Sequence, residues 1–82
     1  MNSQDIRKKH KQYLFPAVKN FYQEPLVISS GRGTTVTDMD GNTYLDFFGG
    51  ILTVSIGHAN EEVNGAIMAQ LNRLSHISTL YL

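Results

Sequence analysis

The side chains best suited to acid–base or metal chemistry in this chain are three aspartates and three histidines. Asp38, Asp40 and Asp46 fall within nine positions, close enough to suggest paired carboxylates that trade a proton. The first two, however, flank an Asp-Gly pair at Asp40-Gly41, between two β-prone runs. Glycine there tolerates a positive φ, and aspartate binds nearby backbone donors, so turn chemistry accounts for them more economically. His10, His58 and His76 fall on three different predicted elements with no close His or Cys spacing, which does not make a metal site. Gly31-Arg32-Gly33 starts like a dinucleotide-binding loop, but Val36 stands where the third glycine should be, and no helix follows. No serine sits in a GxSxG elbow, and no GxxxxGK[ST] loop is present. With no cysteine, thiolate metal sites, disulfides and cysteine nucleophiles are excluded.

The elements that must carry these residues read as α+β. Ser3 is a good N-cap for a first helix, Asp5 suits its positive end, and Ile6, His10, Tyr13 and Leu14 share a face. Pro16 should stop that helix near Leu14. The stretch 26–29 is short, apolar and strand-like, and Gly31-Arg32-Gly33 is expected to break it. Runs 34–38 and 43–48 complete a small antiparallel meander of three strands around the Asp-Gly tip. Gly49-Gly50 ends the last strand, and 51–56 is a second apolar, β-branched run closed by Gly57-His58. Asn60 caps a second helix with Glu61 and Glu62 in its first turn. Val63, Ala66, Ile67, Leu71 and Leu74 form its stripe, and Arg73 falls in its last turn. The chain thus divides into a helix and connection (1–25), a meander (26–48), an approach segment (49–59), a helix (60–75) and a tail (76–82).

Composition narrows the partners. Of 82 residues, 41% are hydrophobic and 17% charged, which argues against an intrinsically disordered chain. Seven basic residues balance seven acidic ones, so no net field favours nucleic acid or an anionic membrane. No apolar run approaches the ~20 residues that span a bilayer. Met1-Asn2-Ser3-Gln4-Asp5 resembles neither a signal peptide nor a transit peptide, so a cytoplasmic location is expected.

The order of the elements is more informative than any one of them. Asp40-Gly41-Asn42-Thr43-Tyr44-Leu45-Asp46-Phe47 runs into Gly49-Gly50-Ile51, then Gly57-His58, a helix, and His76-Ile77-Ser78. This series resembles the N-terminal part of the class III pyridoxal-phosphate aminotransferases, the ω-amino-acid transaminases. It is most similar to their alanine–glyoxylate branch, through Tyr44-Leu45-Asp46-Phe47-Phe48, Thr53-Val54-Ser55-Ile56-Gly57-His58 and the upstream Tyr22-Gln23-Glu24-Pro25-Leu26. One departure is Glu61, where the family usually carries proline. Both residues suit a first helical turn.

The resemblance implies part of the small domain of a fold-type I enzyme that works as a homodimer. The implied reaction moves an amino group between an amino acid (alanine or an ω-amino acid) and a 2-oxo acid (glyoxylate or pyruvate). It also implies that Gly50 and Ile51 line the substrate side of the pocket, with Tyr81 near it. Transamination requires a lysine to hold pyridoxal 5'-phosphate as a Schiff base, an acid for the pyridinium nitrogen and donors for the phosphate. The lysines here are Lys8, Lys9, Lys11 and Lys19, none in a matching motif. The expectation is therefore an incomplete unit that carries no catalytic residue and is inactive alone, the cofactor's lysine lying further along a longer protein. The alternative is a free-standing α+β interaction module without catalysis.

Overall fold

The computed structural model describes Met1–Leu82, in the order α1 (Ser3–Tyr13), β1 (Ile28–Arg32), β2 (Thr35–Asp38), β3 (Thr43–Leu45), α2 (Gly49–Leu52) and α3 (Glu61–Leu71). The first helix begins one residue earlier than its sequence signal. Asn2, not Ser3, is the N-cap: its side chain accepts from the Asp5 amide at 2.9 Å, while the Asp5 carboxylate takes the Asn2 amide at 3.1 Å. This reciprocal box satisfies two donors that a helix start otherwise leaves open. Ser3 is freed for a different task. Its hydroxyl donates to Asp40 at 2.9 Å and ties the helix start to the hairpin tip, and Ser3 is only 4% exposed. The other end stops at Leu14, two residues before Pro16, as the proline requires.

The three strands form one antiparallel sheet in the order β1-β2-β3, as the alternation predicts. Gly31 pairs with Val36, and Val36 with Tyr44. The first strand differs from expectation: it starts at Ile28 and runs through Gly31 and Arg32 rather than breaking there. Gly31 is needed inside the strand because the His58 ring lies on its Cα. A β-carbon at Gly31 would come 2.8 Å from His58 Cγ, well inside contact distance. The third strand stops at Leu45, short of the expected 48, because Asp46 turns its side chain onto the amides that follow.

Two further expectations are corrected. The run 51–56 forms no strand; its start is wound into α2, a single turn. The last helix ends at Leu71 with Asn72 as C-cap, so Arg73 lies beyond it. Its N-terminus agrees with the sequence reading, since the Asn60 side chain accepts from the Val63 amide at 3.0 Å.

The stripe on α3 is not buried within this chain. Val63, Ile67, Leu71 and Leu74 are all exposed, and neither α1 nor α3 packs on another element. Only Ser3 and Asp38 are buried, both polar, and no apolar side chain is. Polar contacts hold the elements in place: the Arg7 guanidinium donates to the Pro25 carbonyl at 2.9 Å, and Arg32 pairs with Glu61 at 3.2 Å. The second pair is exposed on both sides and is worth about 0–1 kcal/mol. Each large apolar side chain left in water forgoes about 1.5–3 kcal/mol. The 82 residues expressed alone should therefore self-associate or melt without cooperativity. Size-exclusion chromatography and calorimetry check this, and a monodisperse, cooperatively melting monomer would contradict it.

Candidate functional site

Two carboxylates organise the turns of this chain, and each sits at the end of a strand. Asp38 closes β2 and is 5% exposed. It accepts from the amides of Asp40 and Asn42, both at 2.9 Å, from the Asn42 side chain, and from the Tyr44 hydroxyl at 2.9 Å. The Asn42 side chain, first among these donors, helps hold the Asp38 carboxyl below its ordinary range, against the opposing effect of burial. The Tyr44 phenol is pushed up in turn, chiefly by its bond to Asp38. Asp38 and Asp40 thus do turn work, as their place beside Asp-Gly implied.

Asp46 does something the sequence reading missed. Its Oδ1 accepts the amides of Phe48 and Gly49, each at 2.9 Å, and its Oδ2 meets His58 Nε2 at 2.6 Å. The Gly49 amide, then His58, then the Phe48 amide hold the Asp46 carboxyl low. An ionised carboxylate only accepts, so Nε2 carries the proton in this pair. His58 itself is fixed from three sides. Its amide donates to the Gly33 carbonyl at 2.8 Å, and its carbonyl accepts from the Gly33 amide at 2.9 Å. Its ring lies on Gly31. Gly57 permits the approach, with a φ of 88° and no β-carbon to strike the Gly33 backbone. One local signal was available, an aspartate two residues before the amide it binds. No local pattern links Asp46 to a histidine twelve positions on.

Between Asp46 and His58 lies α2, and its hand is unusual. Gly49, Gly50, Ile51 and Leu52 have φ of 59°, 60°, 61° and 60°, so the turn is left-handed. Two glycines accept this freely, but for Ile51 and Leu52 it costs roughly 1–2 kcal/mol each. A β-branched residue in this region is an outlier. The opposing contributions are visible. The amides of Leu52, Thr53 and Val54 bond back to Phe48 and Gly49 at 2.8–3.0 Å, and the Thr53 hydroxyl reaches the Gly50 carbonyl at 2.5 Å. The Phe48 ring stacks edge-on against Phe21, centroids 5.2 Å apart. Strain of this kind concentrates where a backbone must present something. The turn leaves Ile51 74% and Leu52 86% exposed, beside the exposed Gly50.

Tyr81, the third candidate, is 69% exposed and makes no hydrogen bond within the chain. An open groove of about 570 Å³ lies elsewhere, bordered by Ile6, Leu14, Tyr22, Leu26 and Ile28. Neither Gly50, Ile51 nor Tyr81 lines it, and its Arg7 is already committed to the Pro25 carbonyl. No set of three metal-binding side chains gathers anywhere. No helix is long and apolar enough to cross a membrane.

Three helices and a three-stranded antiparallel sheet make a fold shared with solved pyridoxal-phosphate aminotransferases, consistent with part of a fold-type I enzyme. One is the ornithine aminotransferase of Toxoplasma gondii crystallised with oxidised glutathione, whose active site is partly occupied by pyridoxal phosphate. The match to it has a TM-score of 0.88 at 31% identity and covers 99% of this chain and 18% of that one. Residues 17–82 match the family Aminotransferase class-III, and the chain belongs to that family. Among curated relatives, the alanine–glyoxylate aminotransferase 2, mitochondrial, of Pongo abelii is 46% identical over 72 residues, 88% of this chain and 14% of its own length. The acetylornithine aminotransferase of Methanothermobacter thermautotrophicus is 38% identical over 81 residues, 99% of this chain and 20% of its own. The chain therefore spans between about a seventh and a fifth of these relatives' length.

Class III aminotransferases depend on pyridoxal phosphate. Lys8, Lys9 and Lys11 lie on α1 and Lys19 in the connection after it. None of them forms an ion pair, and the one His–carboxylate pair is spent on the turn.

The titration of this site has a definite sign. The folded-state pKa values of Asp38 and Asp46 lie below the ordinary 3.8, so the stabilisation they give is complete above the unfolded value. It is lost as pH falls through the lower folded value. Thermal unfolding of the intact protein should be insensitive to these groups from pH 7 to about 5 and weaken below about 4. Asp46→Asn, already neutral, should lose less melting temperature on acidification than the parent, measured by scanning calorimetry from pH 7 to 3.

Proposed function

We propose that this chain is the N-terminal portion of a pyridoxal-phosphate-dependent transaminase. Its reaction would move an amino group between alanine or an ω-amino acid and a 2-oxo acid such as glyoxylate or pyruvate. The observation that carries the reading is the family match over residues 17–82, and the 46% identity to an alanine–glyoxylate aminotransferase supports the substrate class. A cytoplasmic homodimer belongs to the same reading and rests on the family resemblance. The free-standing module is disfavoured because such a module must bury an apolar core of its own, and none is buried here.

In this reading the cofactor supplies the carbanion chemistry when bound, and the lysine that holds it belongs to a part of the protein outside these residues. What this segment contributes is a wall. Gly50 has no side chain, and at its position a β-carbon would meet the Thr53 hydroxyl at 2.9 Å. Ile51 then projects as an apolar surface against which an amino donor's side chain is sorted, and the family resemblance makes Tyr81 a candidate donor to the same pocket. A wall of this kind binds and excludes without moving a proton.

The full-length enzyme tests the assignment. Ile51→Phe should change kcat/KM unequally among amino donors, by roughly 10–200-fold between the best and worst affected. Cofactor absorbance and melting temperature should stay close to the parent's. Equal slowing of every donor with a lowered melting temperature would make Ile51 a packing residue. The isolated 82 residues, treated with pyridoxal phosphate and borohydride, should show no stoichiometric label on any single lysine and no turnover of alanine with glyoxylate. A single fully labelled lysine, found by peptide mapping, would refute that part of the reading.

A further inference from the structure

We propose that His58 is a positioning residue which, through Asp46, holds the left-handed turn Gly49–Leu52 in the conformation that presents Ile51. The turn precedes His58 in the chain, and the two are joined by a carboxylate rather than by packing. Asp46 Oδ1 takes the two amides that open the turn, and Oδ2 takes Nε2 of His58. A carboxylate is planar, so fixing one oxygen fixes the direction of the other. His58 can supply that fixed point because it is itself immobile, paired through both backbone groups to Gly33 with its ring against Gly31. The frame is therefore β1 together with Gly33, the residue that follows it, and His58 transmits their position to the turn. The side chains of the pair are largely shielded, 25% exposed for His58 and 14% for Asp46, so water competes weakly for the bond. Without it, Oδ1 is free to rotate away from the Phe48 and Gly49 amides. The residues with positive φ at Ile51 and Leu52 then lose the contacts that hold them there.

The kinetic consequence rests on the transaminase reading; the structural one does not, and the experiment separates them. In the full-length enzyme, hydrogen exchange read by mass spectrometry over residues 47–54 is compared for the parent, His58→Asn, His58→Gln and Arg32→Ala. The glutamine amide reaches about as far as Nε2 and can still donate to Asp46; the asparagine amide stops near the Nδ1 position and cannot. His58→Asn should speed exchange of the amides of Phe48, Gly49 and Leu52 through Val54 by about tenfold or more, with the strand amides of β2 and β3 unchanged. His58→Gln should restore most of the protection, and Arg32→Ala should leave it intact. Donor discrimination in kcat/KM should shift by about tenfold or more in the asparagine variant and return toward the parent in the glutamine one. Equal exchange in the two His58 variants, or loss spread evenly over the protein, would overturn the proposal. Changed exchange at the turn with unaltered donor discrimination would overturn its link to Ile51. A parent enzyme that fails to transaminate would sink the transaminase reading, while the expected exchange pattern would still support the positioning role.

Discussion

The carboxylate of Asp46 is the point on which the middle of this structure depends. It stands where β3 ends, receives the first amides of the left-handed turn on one oxygen, and meets His58 on the other. Three segments that share no apolar core are thereby held in one geometry. In a chain with no buried hydrophobic side chain, directed hydrogen bonds to charged acceptors do what packing does elsewhere. Their directionality matters as much as their strength, because a hydrophobic contact would hold the turn near the sheet without specifying its hand.

Asp38 and Asp46 show how one residue type serves two ends. Asp38 gathers donors from within six positions and stabilises a hairpin tip whose shape its own neighbours largely determine. Asp46 uses one oxygen locally and the other at a distance, so it couples a turn to a strand through His58. The first is a structural knot; the second is a link between the sheet and the residue it displays. Both carboxyls are held ionised by these bonds, which makes them acceptors and unsuited to act as acids at neutral pH.

The exposed apolar residues complete the picture from the other side. Ile51 and Leu52 lie in the turn, Ile56 follows it, Val63, Ile67 and Leu71 line α3, and Leu80 and Tyr81 lie in the tail. Exposed apolar surface of this kind marks a site of association. The chain covers between 14% and 20% of the curated relatives it was compared with, so most of their mass has no counterpart among these residues.

Much of the architecture was legible along the chain. Asn60 and Glu61-Glu62 marked the start of α3, Pro16 the end of α1, and Asp40-Gly41 the hairpin, because caps, proline and Asp-Gly act over a few residues of backbone. The ordered series from the hairpin to Gly57-His58 was enough to point to the family. Tertiary structure decided the rest, and for one reason: the deciding contacts join residues far apart in sequence. Ser3 left the cap because Asp40 accepts its hydroxyl from 37 positions away. Gly31 stayed inside a strand because the ring of His58 occupies the space of its missing side chain. The segment after Gly49 was apolar and β-branched, which favours a strand. It became a left-handed turn because Asp46, oriented by His58, binds the amides that begin it.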